Sequence, residues 1–91
     1  MMENANGVLP LGPALPPGKT MKFSTKLFGF TILKIVNERS FPASISIDGK
    51  GVFVPSSSGT AAGLVDLSSP FYFGKVFSIT NQCEWVLRIE H

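Results

Sequence analysis

From Met21 onward, apolar and polar residues alternate with the period of a strand. In MKFSTKLF, residues 21–28, Met21, Phe23 and Leu27 fall on one side, and Lys22, Ser24 and Lys26 on the other. FTILKIVN, residues 30–37, is rich in β-branched residues and predicts a second, more buried strand. NERS reads as a turn, and Pro42 marks entry to the next strand. ASISIDGKGVFVP then gives the strongest local signal. Asp48-Gly49 lies between Ile45/Ile47 and Val52/Val54, the arrangement of a tight β-hairpin, because glycine accepts a positive φ. Pro55 ends that strand, and the small residues of SSSGTAAG form a loop. LVDL is a short strand, SSP a turn, and FYF with KVFSIT supplies one strand or two broken at Gly74.

The chain closes on CEWVLRIE, where Cys83, Trp85, Leu87 and Ile89 alternate with Glu84, Val86, Arg88 and Glu90. Paired with KVFSIT through a three-residue loop, 81–83, it sets Ile79 beside Trp85 and Phe77 beside Leu87. That register gathers the large apolar groups on one face and is the expected one. No segment holds a 3.6-residue period, so helix should be minimal. About six to eight short strands with closely spaced turns predict an all-β fold, a small antiparallel sandwich or barrel.

Residues 1–20 follow neither period. Prolines 10, 13, 16 and 17 forbid a regular helix and spoil a central strand, yet Val8, Leu9, Leu11, Ala14 and Leu15 are not linker residues. The expected organisation is an extended Pro/Gly-rich arm, 1–20, followed by a β domain, 21–91. Restricted φ lowers the entropy cost of ordering such an arm, and at ~3.1 Å per residue it reaches roughly 60 Å. Val8, Leu9, Leu11 and Leu15 are the residues expected to fill pockets on a neighbour.

Composition points the same way. A domain of this size buries only roughly 60% of its unfolded surface. Only 15% of the chain is charged, which leaves little polar covering and favours a homo-oligomer or larger assembly. Net charge is +2, unevenly spread: between Glu3 and Glu38 the only charges are Lys19, Lys22, Lys26 and Lys34. They form either a solvated face or a basic patch for phosphate or an acidic partner. The single Cys83 excludes an intrachain disulfide and suits a reducing compartment. Glu3 and the frequent prolines do not suit a signal peptide, and no run approaches the length of a membrane span.

Catalytic chemistry finds little footing. The one histidine, His91, is the last residue, where a base is hard to hold. Cys83 has no histidine near it in sequence, and the acids stand singly, so neither a nucleophile, a metal site nor a cofactor is expected. Gly18-Lys19-Thr20 imitates the end of a P-loop, but Pro13 stands where that motif requires glycine. An OB-like barrel binding single-stranded nucleic acid is the alternative, with Phe23, Phe28, Phe30, Phe53, Phe71, Tyr72, Phe73, Phe77 and the lysine run as its resources. Against it, a domain this small is expected to need most of its phenylalanines as core.

A compact β domain with an apolar extended arm, few charges and no catalytic constellation resembles small all-β virion proteins of the decoration, cement or minor capsid type. That likeness implies a non-enzymatic structural subunit that contacts neighbouring subunits through its arm. It also implies a place in a viral or phage particle assembled in the host cytoplasm.

Overall fold

At Asp48–Gly49 both residues take positive φ, 51° and 84°, as a two-residue hairpin turn requires. Asp48 tolerates this because its Oδ1 accepts the backbone N–H of Ser78 at 2.9 Å, while its own N–H donates to the Ser78 carbonyl at 2.8 Å. The turn is thus pinned to a strand far along the chain.

The computed structural model describes residues 13–91. Among them are eight short strands and no helix: β1 Ala14–Leu15, β2 Thr20–Ser24, β3 Lys34–Asn37, β4 Ala43–Ile47, β5 Lys50–Val54, β6 Gly63–Asp66, β7 Val76–Asn81 and β8 Leu87–Glu90. They pair antiparallel in two sheets, ordered β1-β8-β3-β6 and β2-β7-β4-β5. One core cluster draws on both. Leu15, Leu33, Ile35, Leu87 and Ile89 come from the first sheet and its flank; Phe23, Ala43, Ile45, Val54, Phe77 and Ile79 come from the second. Alternation in β4 and β7 places Ile45 and Ile79 inward, as their period demands.

The expected pairing of the last two strands does not occur. β7 lies between β2 and β4, while β8 lies between β1 and β3 in the other sheet. The cause is Asn81, fully buried at the end of β7. Its Oδ1 accepts the N–H of Cys83 at 2.8 Å, and its Nδ2 donates to the carbonyls of Trp85 at 2.8 Å and Leu15 at 2.9 Å. These bonds bend residues 83–85 across from one sheet to the other, and Trp85 is half-buried against the core rather than paired with Ile79.

The expected arm boundary also shifts. Ala14 and Leu15 pair with Arg88 and Leu87, and the N–H of Ile89 donates to the Pro13 carbonyl at 2.9 Å. Leu15 is 0% exposed. It fills this domain's own core, not a neighbour's pocket, because the edge of β8 needs a partner strand and the core needs a side chain there. Val8, Leu9 and Leu11 lie outside the described residues. No helix among the described residues is long and apolar enough to cross a membrane.

Candidate docking surface

Beyond the paired residues of β2 and β7, the chain keeps running antiparallel in two loops, 25–32 and 69–75. Thr25 N–H donates to the Lys75 carbonyl at 3.0 Å, and Gly74 N–H to the Lys26 carbonyl at 3.0 Å. Farther along, Thr31 and Ser69 exchange both backbone bonds, at 2.9 and 3.0 Å. Side chains reinforce the seam: Thr25 Oγ1 donates to the Lys75 carbonyl at 2.6 Å, and Thr31 Oγ1 accepts the Lys26 N–H at 2.9 Å. The result is one hydrogen-bonded ribbon that runs from the β2–β7 ladder to the β3–β6 ladder.

Its apolar side chains face water. Phe28 is 78% exposed, Phe71 75%, and Phe73 61%, with Leu27, Phe30 and Ile32 each more than half exposed. Within FYF the direction alternates. Tyr72 turns inward to meet Phe77 edge-on at 4.9 Å between centroids and bonds the Leu67 carbonyl through its hydroxyl, while Phe71 and Phe73 turn outward. Tyr72 through Lys75 form a second turn with two positive φ values, 50° at Phe73 and 84° at Gly74, closed by Lys75 N–H to the Tyr72 carbonyl at 3.1 Å. A phenylalanine in that conformation costs roughly 1–2 kcal/mol, and its ring returns little burial.

Across the molecule, six of the eight phenylalanines are exposed; only Phe23 and Phe77 are buried. The expectation that a small domain keeps its phenylalanines inside is therefore overturned. Short strands offer few inward positions, and Leu, Ile and Val occupy most of them. Phe41, which the pattern of strands does not single out, is among the exposed set. The available signal was glycine beside phenylalanine between strands, in LFGF and FYFG, which marks turns rather than core.

The four lysines do not form one patch. Lys19 lies in the turn before β2, Lys22 projects opposite Ser78 on one sheet, and Lys26 stands where the ribbon leaves β2. Lys34 sits on the other sheet between Asp66 of β6 and Glu90 of β8. Asp66 is held below the usual carboxylate range first by the Ser68 hydroxyl and N–H, with Lys34 adding a smaller pull.

A groove of about 310 Å³ at this ribbon is lined by Ser24, Thr25, Lys26, Thr31, Ile32 and His91. His91 is better held than a terminal residue is expected to be: its ring meets Phe23 edge-on at 5.4 Å, and Nε2 lies 2.7 Å from the Ser24 carbonyl. No aspartate or glutamate side chain lines this groove. The Cys83 thiol donates to the Trp85 carbonyl at 3.2 Å, within the crossing between sheets. Among the described residues, no three His, Cys, Asp or Glu side chains converge as metal ligands. No family model, curated protein or solved structure matches the chain.

Proposed function

We propose that this chain is a non-enzymatic structural subunit, built as a two-layer β-sandwich, that docks on neighbouring subunits. The setting suggested by the overall likeness is a viral or phage particle. The observation that carries the reading is at the outer strands. β5 and β6 each end a sheet and touch one another, and they carry exposed Phe53 and Leu64. Gly63, at the start of β6, packs so tightly on Pro55 that a Cβ there would stand 1.6 Å from its carbonyl oxygen. Strand edges with outward apolar groups favour pairing with another chain, and soluble monomers usually blunt them. One core cluster shared by two separate ladders supports reading the two sheets as a sandwich.

Contact through the arm now concerns Val8, Leu9 and Leu11, since Leu15 serves the chain's own core. Light scattering after size exclusion tests the proposal. The native chain should run as an oligomer, and Phe53→Lys with Leu64→Lys should shift it to monomer at an unchanged melting temperature. A native chain that is monomeric at every concentration would sink the reading.

A single-stranded nucleic-acid-binding role draws on the exposed phenylalanines near Lys26 and Lys75. It is the weaker reading, because Lys34 stands between two carboxylates and the ladders remain in two separate sheets. Salt-dependent retention on an oligonucleotide column tests it.

A further inference from the structure

We propose that the groove at His91 is the seat of this chain's own residues 8–11, which lie outside the described residues. The surface is not the one argued for assembly. β5 and β6 end their sheets at one edge and touch one another, while β1 and β2 end them at the opposite edge, so either reading can fail alone.

The direction of β1 carries the inference. Ala14 pairs with Arg88 and Leu15 with Leu87, and the N–H of Ile89 donates to the Pro13 carbonyl at 2.9 Å. Continued in that register, Gly12 falls level with Glu90 and Leu11 with His91, which lines the groove. On the other flank of β8, Ile35 pairs with Ile89 and Lys34 with Glu90, so Thr31 and Ile32 lie farther along the same path. Residues 8–12 extend roughly 16 Å at 3.3 Å each, enough to carry Leu9 and Leu11 along the groove. Pro10 and Pro13 have no N–H to donate, and an edge strand is where proline is tolerated.

Parity decides which side chains enter. Residues 9, 11, 13 and 15 share one face of a strand, and Leu15 on that face is enclosed in the core shared by the two sheets. In that register Leu9 and Leu11 project toward the gap between the layers. There the His91 ring meets Phe23 of β2 edge-on at 5.4 Å.

The lining suits an apolar guest better than a polar one. The Thr25 hydroxyl donates to the Lys75 carbonyl, the Thr31 hydroxyl accepts the Lys26 N–H, and Nε2 of His91 lies against the Ser24 carbonyl. With those groups engaged, an anion would meet a single lysine, Lys26. An aliphatic side chain would meet Ile32, which is 51% exposed, and an imidazole ring. A seated arm holds Leu9 and Leu11 against their own domain, so a neighbour receives them only when the arm leaves the groove.

The test is nuclear Overhauser spectroscopy on the isotope-labelled full chain. The Leu9 and Leu11 methyl groups should show cross-peaks to the Ile32 methyls and the His91 ring protons. Leu9→Ser with Leu11→Ser should abolish them and shift the Ile32 and His91 resonances, while those of β5 and β6 stay in place. The same variant should lower the folding equilibrium constant about tenfold, the surplus of leucine burial over the cost of ordering the segment. Random-coil shifts for residues 8–11 in the native chain overturn the proposal. So does a folded double variant whose Ile32 resonances do not move. Cross-peaks that arise only between labelled and unlabelled chains overturn the intramolecular seat and give the groove to a second copy's arm. Light scattering on the same samples reads assembly separately: a monomer with a seated arm would sink the assembly reading and uphold this one.

Discussion

The indole N–H of Trp85 donates to Oδ1 of Asn37 at 3.0 Å, although 48 residues separate them. The same asparagine donates through Nδ2 to the carbonyls of Phe41 at 2.7 Å and Pro55 at 3.2 Å. The Trp85 carbonyl accepts from Asn81, so two fully buried asparagines, one from each sheet, are bridged by one tryptophan. Arg39 covers the outer face of the indole, 5.7 Å from its centroid. Each amide supplies backbone groups that no strand reaches, which is how a chain crosses between sheets without orphaned donors.

Replacing Asn81 by Ala should therefore be severe. It strands the Leu15 and Trp85 carbonyls and the Cys83 N–H in a buried setting, and the expected cost is about 2–4 kcal/mol. Urea denaturation reads it directly. A loss near zero would show that water replaces the amide and that the crossing does not depend on it.

Leu15→Ala should cost about 3 kcal/mol, the usual range for a buried leucine. Removing residues 2–19 should destabilise the domain further, because it deletes β1 and exposes the edge of β8. Thermal melts of both variants are sufficient. Unchanged melting would mean that Leu15 is dispensable to the core.

Phe73→Asn should stabilise the chain by about 0.5–1 kcal/mol, since the backbone strain is relieved and little burial is lost. A rise in melting temperature is the expected readout. A fall would show that the ring packs against its own domain.

Asp48 gives a pH prediction. The Ser78 N–H, and then Lys75, hold its carboxyl below the ordinary value of 3.8, so it binds a proton less readily folded than unfolded. Its contribution to stability is complete above that value and is lost as pH falls through the lower, folded one. Asp48→Asn keeps the turn and an acceptor for Ser78 but removes the titration. The denaturation midpoint of the native chain should fall more steeply than the variant's as pH drops below the ordinary value of 3.8. Parallel curves would place the acid sensitivity elsewhere, with Asp66 beside Ser68 the next candidate.

Much of the fold is local and was legible in the residues alone. Period-2 alternation marks β2, β4, β5 and β7, and Asp48-Gly49 fixes a hairpin because its two partners are adjacent in sequence and glycine admits the turn. The tertiary structure decided what alternation cannot express. A strand's period says which side chains share a face, not which strand lies beside it, so Cys83–Glu90 looked like a hairpin partner of β7 until Asn81 bent it into the other sheet. Hydrophobicity likewise says that Leu15 and Phe73 are both apolar, not that one would be enclosed and the other left in water. Enclosure depends on how many inward positions two small sheets provide, and here Leu, Ile and Val fill most of them, leaving most of the phenylalanines outside.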